Sequence, residues 1–146
     1  MVRRIDLCRP QPRRGRPPVN PPTSCLARSR MDREVLRRVG RLLRAASRPA
    51  DLVARLGGDE FVLLLGAVGA VTAHNRALGL LDAVRAEAWH EVSPGTRVSV
   101  SIGLATGLTH DAEQLLRLAD RALYQAKTAG RDGVVMIEPS AALAIS

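Results

Sequence analysis

The sequence predicts an α/β chain of the α+β sandwich type, a mixed sheet flanked by helices. Three observations predict it. From residue 31 onward the apolar spacing switches between the 3.6-residue period of a helix and the two-residue period of a strand. The elements so marked run helix, strand, strand, helix, strand, helix, strand. The first two strands meet at Gly57-Gly58, a pair suited to the positive φ of a tight hairpin turn.

Residues 1–30 are expected to be a disordered leader. They carry eight Arg against one acid, Asp6, and six of the nine prolines, with no apolar periodicity. Proline at that density stops helices and ladders. From residue 31 to 138 a folded domain is expected, and 139–146 reads as a tail. In the first helix Val35, Leu36, Val39, Leu42 and Leu43 form one stripe, with Arg37, Arg38, Arg41 and Arg44 off it. Glu34 can pair with Arg38 one turn on. The helix should stop near Ser47, before Pro49.

Leu52 to Leu56 reads as a strand by its apolar and β-branched content, and Phe61 to Leu65 as a more deeply buried one. Residues 71–90 read as a helix with Leu78, Leu81, Val84 and Ala88 on one side, weakened by Gly79. After a Pro94-Gly95 turn, Val98, Val100, Ile102 and Leu104 alternate along a strand with one buried face. Asp111 can cap the next helix, with Gln114 at its third position. That helix carries Leu115, Leu116, Leu118, Ala119, Ala122 and Leu123 inward, and Gly130 closes it. Val134 to Ile137 is a last short strand.

Composition narrows the function classes. The formal net charge of +8 belongs to the leader, because residues 31–146 hold 14 basic and 13 acidic groups. Phe61, Trp89 and Tyr124 are the only aromatics, so the core is aliphatic and no set of rings exists for base stacking. A basic leader without aromatics is a poor nucleic-acid arm, and nucleic acid is not an expected partner. Cys8 and Cys25 lack neighbours at metal-ligand spacing and read as free thiols. No apolar run is long enough to span a membrane, and the leader has no apolar signal core. A cytoplasmic location is the expectation.

The chemistry concentrates at Arg55-Leu56-Gly57-Gly58-Asp59-Glu60-Phe61. Two carboxylates directly follow a turn where backbone can approach a ligand closely, a good place for a metal ion and a polyphosphate. Acidic turn residues are usually only solvated, so the flanks must decide. Residues 57–61 resemble, letter for letter, the signature of the GGDEF domain family, the diguanylate cyclases. Val98-Ser99-Val100-Ser101-Ile102-Gly103 resembles the family's strand after the signature hairpin. Ala119-Asp120-Arg121-Ala122-Leu123-Tyr124-Gln125-Ala126-Lys127 with Gly130-Arg131 resembles its last helix. Arg48-Pro49-Ala50-Asp51 stands at the offset of the family's RxxD set.

The resemblance implies a GGDEF-type sheet of the palm, nucleotidyl-cyclase kind. It also implies an enzyme that condenses two GTP into cyclic di-GMP and pyrophosphate in bacterial signalling. Asp59 and Glu60 are then the catalytic and metal-binding carboxylates, with Mg²⁺ or Mn²⁺ as the ion. Gly57 and Gly58 let the backbone approach GTP, and Lys127 and Arg131 hold its phosphates. Helix dipoles favour cations at the last two positions in any protein, yet Lys127 is the one lysine among 21 arginines. Where the family has Asn after that Arg, this chain has Asp132. Arg48 and Asp51 correspond to the inhibitory site for cyclic di-GMP. Arg55 stands where the family often has Arg, with a structural salt bridge equally open to it. The family works as a facing homodimer, one GTP per subunit.

The resemblance covers residues 34–138 and lacks the family's opening strand and helix, with their metal-binding Asp and guanine-reading Asn and Asp. Residues 1–30 are therefore expected to be foreign to the family, and the sheet to miss its opening strand. An inactive module that binds cyclic di-GMP through the RxxD site is the alternative reading.

Overall fold

The computed structural model describes residues 2–8, 21–107 and 112–138, with side chains from residue 30 onward. Its elements are β1 (Val2–Cys8), α1 (Pro21–Ala45), β2 (Leu52–Gly57), β3 (Glu60–Leu64), α2 (Ala70–Ala86), a 3-10 turn (Trp89–Glu91), β4 (Ser99–Ala105), α3 (Ala112–Thr128) and β5 (Val134–Ile137). The strands form one five-stranded sheet in the order β2-β3-β1-β4-β5. β1 pairs antiparallel with both β3 and β4, while β4 and β5 run parallel. The expected class, a mixed sheet flanked by helices, is the one observed.

The leader departs from expectation. The place where no strand was expected is the centre of the sheet, and the backbone of Val2–Cys8 fills it. The stretch Val-Arg-Arg-Ile-Asp-Leu-Cys has no strict alternation, so local pattern gives no strand signal. Ladders on both sides form it instead, a tertiary effect that overrides propensity. The first helix likewise starts at Pro21, not near Met31. Pro21 and Pro22 occupy its first turn, where backbone N–H groups have no intrahelical partner and proline is tolerated. Residues 9–20, the Asp111 cap and the tail from 139 lie outside the described residues.

Two layers of helix enclose the sheet. On one face Val35, Val39 and Leu43 of α1 and Ala73, Ala77, Leu80, Leu81 and Val84 of α2 pack against Phe61, Leu63, Val100, Ile102 and Leu104. On the other face Leu115 and Ala119 of α3 meet Val62 and Ala105, with Leu64, Leu116 and Leu118 at the margin. α3 lies so close to β4 that a Cβ on Gly103 would stand 2.2 Å from the Ala119 carbonyl oxygen and 2.3 Å from the Leu123 nitrogen. Only glycine fits that approach.

α2 corrects one expectation. Its inner side uses Ala73 and Ala77 in place of Leu78, which is exposed, and the helix ends before Ala88. Small alanines bring the helix close to the sheet but add little to an apolar count. Beyond α2, the buried Trp89 donates its indole N–H to the Val84 carbonyl at 2.7 Å. Arg38 ties α1 to this region: Nε meets Glu34 at 3.1 Å, and Nη1 meets Glu87 at 3.0 Å and Glu91 at 3.1 Å.

Candidate functional site at the hairpin end of the sheet

The hairpin forms at the expected place, with one refinement. Gly58 and Asp59 make the turn, while Glu60 is already the first residue of β3. Gly58 has φ 49° and a Cβ there would meet open space, so conformation and not crowding selects glycine. Arg55 clamps the turn, donating from Nε at 3.0 Å and Nη2 at 2.8 Å to the Gly58 carbonyl. That resolves its role locally as a turn clamp. Asp59 and Glu60 are half-buried.

Strand register decides what else shares this end. Asp6 on β1 stands directly opposite Glu60 on β3 and opposite Ser101 on β4. One row across the sheet therefore reads Glu60, Asp6, Ser101. Sequence reasoning took Asp6 as an isolated acid in a leader. Ser101 is 1% exposed and its hydroxyl has no hydrogen-bond partner among the described residues.

The loop from α3 to β5 arrives at the same end. β4 and β5 are parallel with Ile102 opposite Val134, so Gly130–Gly133 lies beside the start of β4. The end of α3 is fixed by the Arg131 N–H donating to the Ala126 carbonyl at 3.0 Å across Gly130, the bond of a Schellman cap. Lys127 lies in the last turn and Arg131 just past it, exposed, with φ 64°. Asp132 follows with φ 48°. Arg85 of α2 grips it, Nε to Oδ2 at 3.1 Å and Nη2 to the backbone carbonyl at 2.9 Å. Neither Arg85 nor this grip was legible in the sequence.

A divalent ion suits this donor set. Carboxylate oxygens of Asp59 and Glu60 are hard ligands, and a third acid holds the adjacent register position. Among the described residues no three side chains form a ready metal cluster, and the Asp6 side chain is not among those described.

Arg48 and Asp51 lie elsewhere. They precede Leu52, whose register partner is Leu64, whereas the hairpin turn lies beyond the Gly57–Glu60 pair. Five residues of strand, about 16 Å, separate the two ends. The Arg48 side chain is exposed. Asp51 is inward: its Oδ2 accepts the Arg48 backbone N–H at 2.8 Å and the Arg76 Nη2 at 2.5 Å. Burial pushes its carboxyl up, but the Arg48 N–H, the Arg76 guanidinium and the Gly66 N–H outweigh that and hold it below its usual range. Arg76, unmarked in the sequence, also donates to the Ala46 carbonyl at 2.8 Å, and its Nη1 is buried without a partner among the described residues.

The chain matches known proteins over this same region. The family model described as "Diguanylate cyclase, GGDEF domain" matches residues 32–133, so at the sequence level the likeness begins after the leader. The bifunctional diguanylate cyclase/cyclic di-GMP phosphodiesterase MucR of Pseudomonas aeruginosa is 38% identical over 107 residues, covering 70% of this chain and 15% of the relative. Diguanylate cyclase DgcM of Escherichia coli is 39% identical over 104 residues, covering 70% of this chain and 24% of the relative. The chain thus spans less than a quarter of either relative's length. Among solved structures, the GGDEF domain of YfiN (TpbB) from Pseudomonas aeruginosa superposes with a TM-score of 0.69 at 28% identity, covering 95% of this chain and 82% of that one. The active GGEEF domain of a diguanylate cyclase from Vibrio cholerae gives 0.67 at 19% identity, covering 95% and 84%, a likeness of fold.

Proposed function

Because the chain belongs to the diguanylate cyclase GGDEF domain family, we propose that its hairpin end binds GTP with a divalent ion and joins two GTP molecules into cyclic di-GMP. The observation that carries this is the Asp6–Glu60 register pair beside the Gly58-Asp59 turn. It places an acidic residue of the leader at a register position beside the turn, which supports the reading.

In the reaction the 3′-hydroxyl oxygen of one GTP bonds to the α-phosphorus of the other. The bond from that phosphorus to the bridging oxygen of the β-phosphate breaks, pyrophosphate leaves, and the hydroxyl proton passes to solvent or a nearby base. A second such step closes the ring. Asp6, Asp59 and Glu60 would hold Mg²⁺ or Mn²⁺, whose charge offsets that of the phosphates when it is bound. Gly57 and Gly58 present bare backbone to the nucleotide. Lys127 and Arg131 contribute positive charge at the phosphate side, Lys127 as a compact ammonium and Arg131 as a planar fork. Two chains face each other so that each brings one GTP. The setting that fits this substrate is the cytoplasm, and among the described residues no helix is long and apolar enough to cross a membrane.

Incubation with GTP and Mn²⁺, followed by chromatography for cyclic di-GMP, tests the reading; no product after prolonged incubation would overturn it.

A second reading is an inactive module that binds cyclic di-GMP through Arg48 and Asp51. It is favoured by one observation, that this pair is built at the opposite end of the sheet and needs nothing from the hairpin. Calorimetry with cyclic di-GMP separates the two: product binding by a chain that leaves GTP unchanged supports the second.

A further inference from the structure

We propose that Arg85 is a positioning residue for the nucleotide site, holding Arg131 in place through Asp132 and cancelling the negative charge that Asp132 brings beside the phosphates. This rests on the reading of Arg131 as a phosphate ligand.

Arg131 and Asp132 are consecutive non-glycine residues with φ 64° and 48°. Such a conformation is disfavoured for residues with a Cβ and persists where surroundings over-determine it. On the helix side the pair is anchored by the Schellman bond, from the Arg131 N–H to the Ala126 carbonyl. On the strand side it is anchored at Gly133, whose carbonyl accepts the Ile102 N–H at 2.9 Å. Between these anchors Arg85 holds Asp132 by side chain and backbone at once. The direction in which Arg131 leaves the chain is thereby set.

Charge gives the second half of the argument. A carboxylate next to a phosphate-binding arginine opposes the ligand, because like charges repel across a few ångströms. Among the described residues Asp132 Oδ1 is buried without a partner, and compensation comes through Oδ2, where Arg85 lies at 3.1 Å. Asn in the same place would accept the left-handed conformation without bringing a charge. Arg85 and Asp132 therefore act as a matched pair: the arginine makes an acidic residue tolerable at a polyphosphate site.

The test is GTP affinity by calorimetry with Mg²⁺ present, on the parent chain, Arg85→Met, and Arg85→Met combined with Asp132→Asn. Arg85→Met should weaken GTP about fivefold, the scale of one partly exposed ion pair, and the double variant, which removes the uncompensated charge but not the lost grip, should recover part of that loss. The weakening should shrink at high salt. Thermal unfolding midpoints of the two variants should agree, so recovery of binding without recovery of stability separates positioning and charge from mere bracing. Parent-like GTP affinity in Arg85→Met, or a double variant that stays weak, would overturn the role of Arg85. A parent chain that binds no GTP would overturn the nucleotide reading of this end, and the Arg85 role with it.

Discussion

Arg76 Nη2 lies 2.5 Å from Asp51 Oδ2, and the Asp51 side chain is 2% exposed. The acid of the RxxD set is thus bound to a partner from α2 and built into the fold, while Arg48 stays outside. The two residues of the set should fail differently. Arg76→Ala leaves a buried carboxylate without its cation and should destabilise the chain by about 3 kcal/mol, read by denaturant unfolding. Arg48→Ala should change stability by less than about 0.5 kcal/mol yet abolish cyclic di-GMP binding in calorimetry. An Arg48→Ala variant that binds as the parent does would remove Arg48 from the site.

Close packing at Gly103 predicts a strong effect from one methyl group. The backbone of α3 stands where the new Cβ would go, and neither a helix backbone nor a central strand yields cheaply. Gly103→Ala should cost about 3 kcal/mol or more in denaturant unfolding, at the upper end for overpacked cores. At Gly58 the space is open and only φ objects, so Gly58→Ala should cost about 1 kcal/mol, and Gly58→Asn less.

Stability should fall in acid through Glu34. Its hydrogen bonds to Arg37 and then Arg38 lower its pKa from 4.5 to about 2. A carboxylate depressed in the folded state contributes stability that is full above its unfolded value. That contribution should therefore be complete above about pH 4.5 and be lost as pH falls toward about 2. Asp51, also held low, should add to the same loss. Arg37→Met combined with Arg38→Met, which removes both partners of Glu34, should flatten the acid limb of a stability–pH profile.

How far these features were legible depends on how local they are. β5 matched residue for residue, β2 ran one residue longer than read and β3 lay one residue earlier, and the apolar stripe of α1 packed as read. Each rests on spacing along a few residues. β1 was missed because its stability comes from neighbours distant in sequence, Glu60–Leu64 on one side and Ser99–Ala105 on the other. Asp6 was missed with it, since an acid gains meaning only from the residues that register sets beside it. Arg76 and Arg85 were invisible for a related reason: in a chain with 21 arginines, no local pattern marks the two whose partners lie 25 and 47 residues away. The candidate residues Gly57, Gly58, Asp59, Glu60, Lys127 and Arg131 do gather at one end of the sheet, and Arg48 and Asp51 lie at the other.

The central claim is that β1 completes the site by setting Asp6 opposite Glu60. The most direct measurement is cyclic di-GMP formation from GTP with Mn²⁺, comparing the parent chain with Asp6→Asn, an isosteric change that preserves the strand. The parent should form product, and Asp6→Asn should lose at least about a hundredfold in rate with its unfolding midpoint unchanged, as befits loss of a metal-binding charge. Equal rates in the two proteins would contradict the claim.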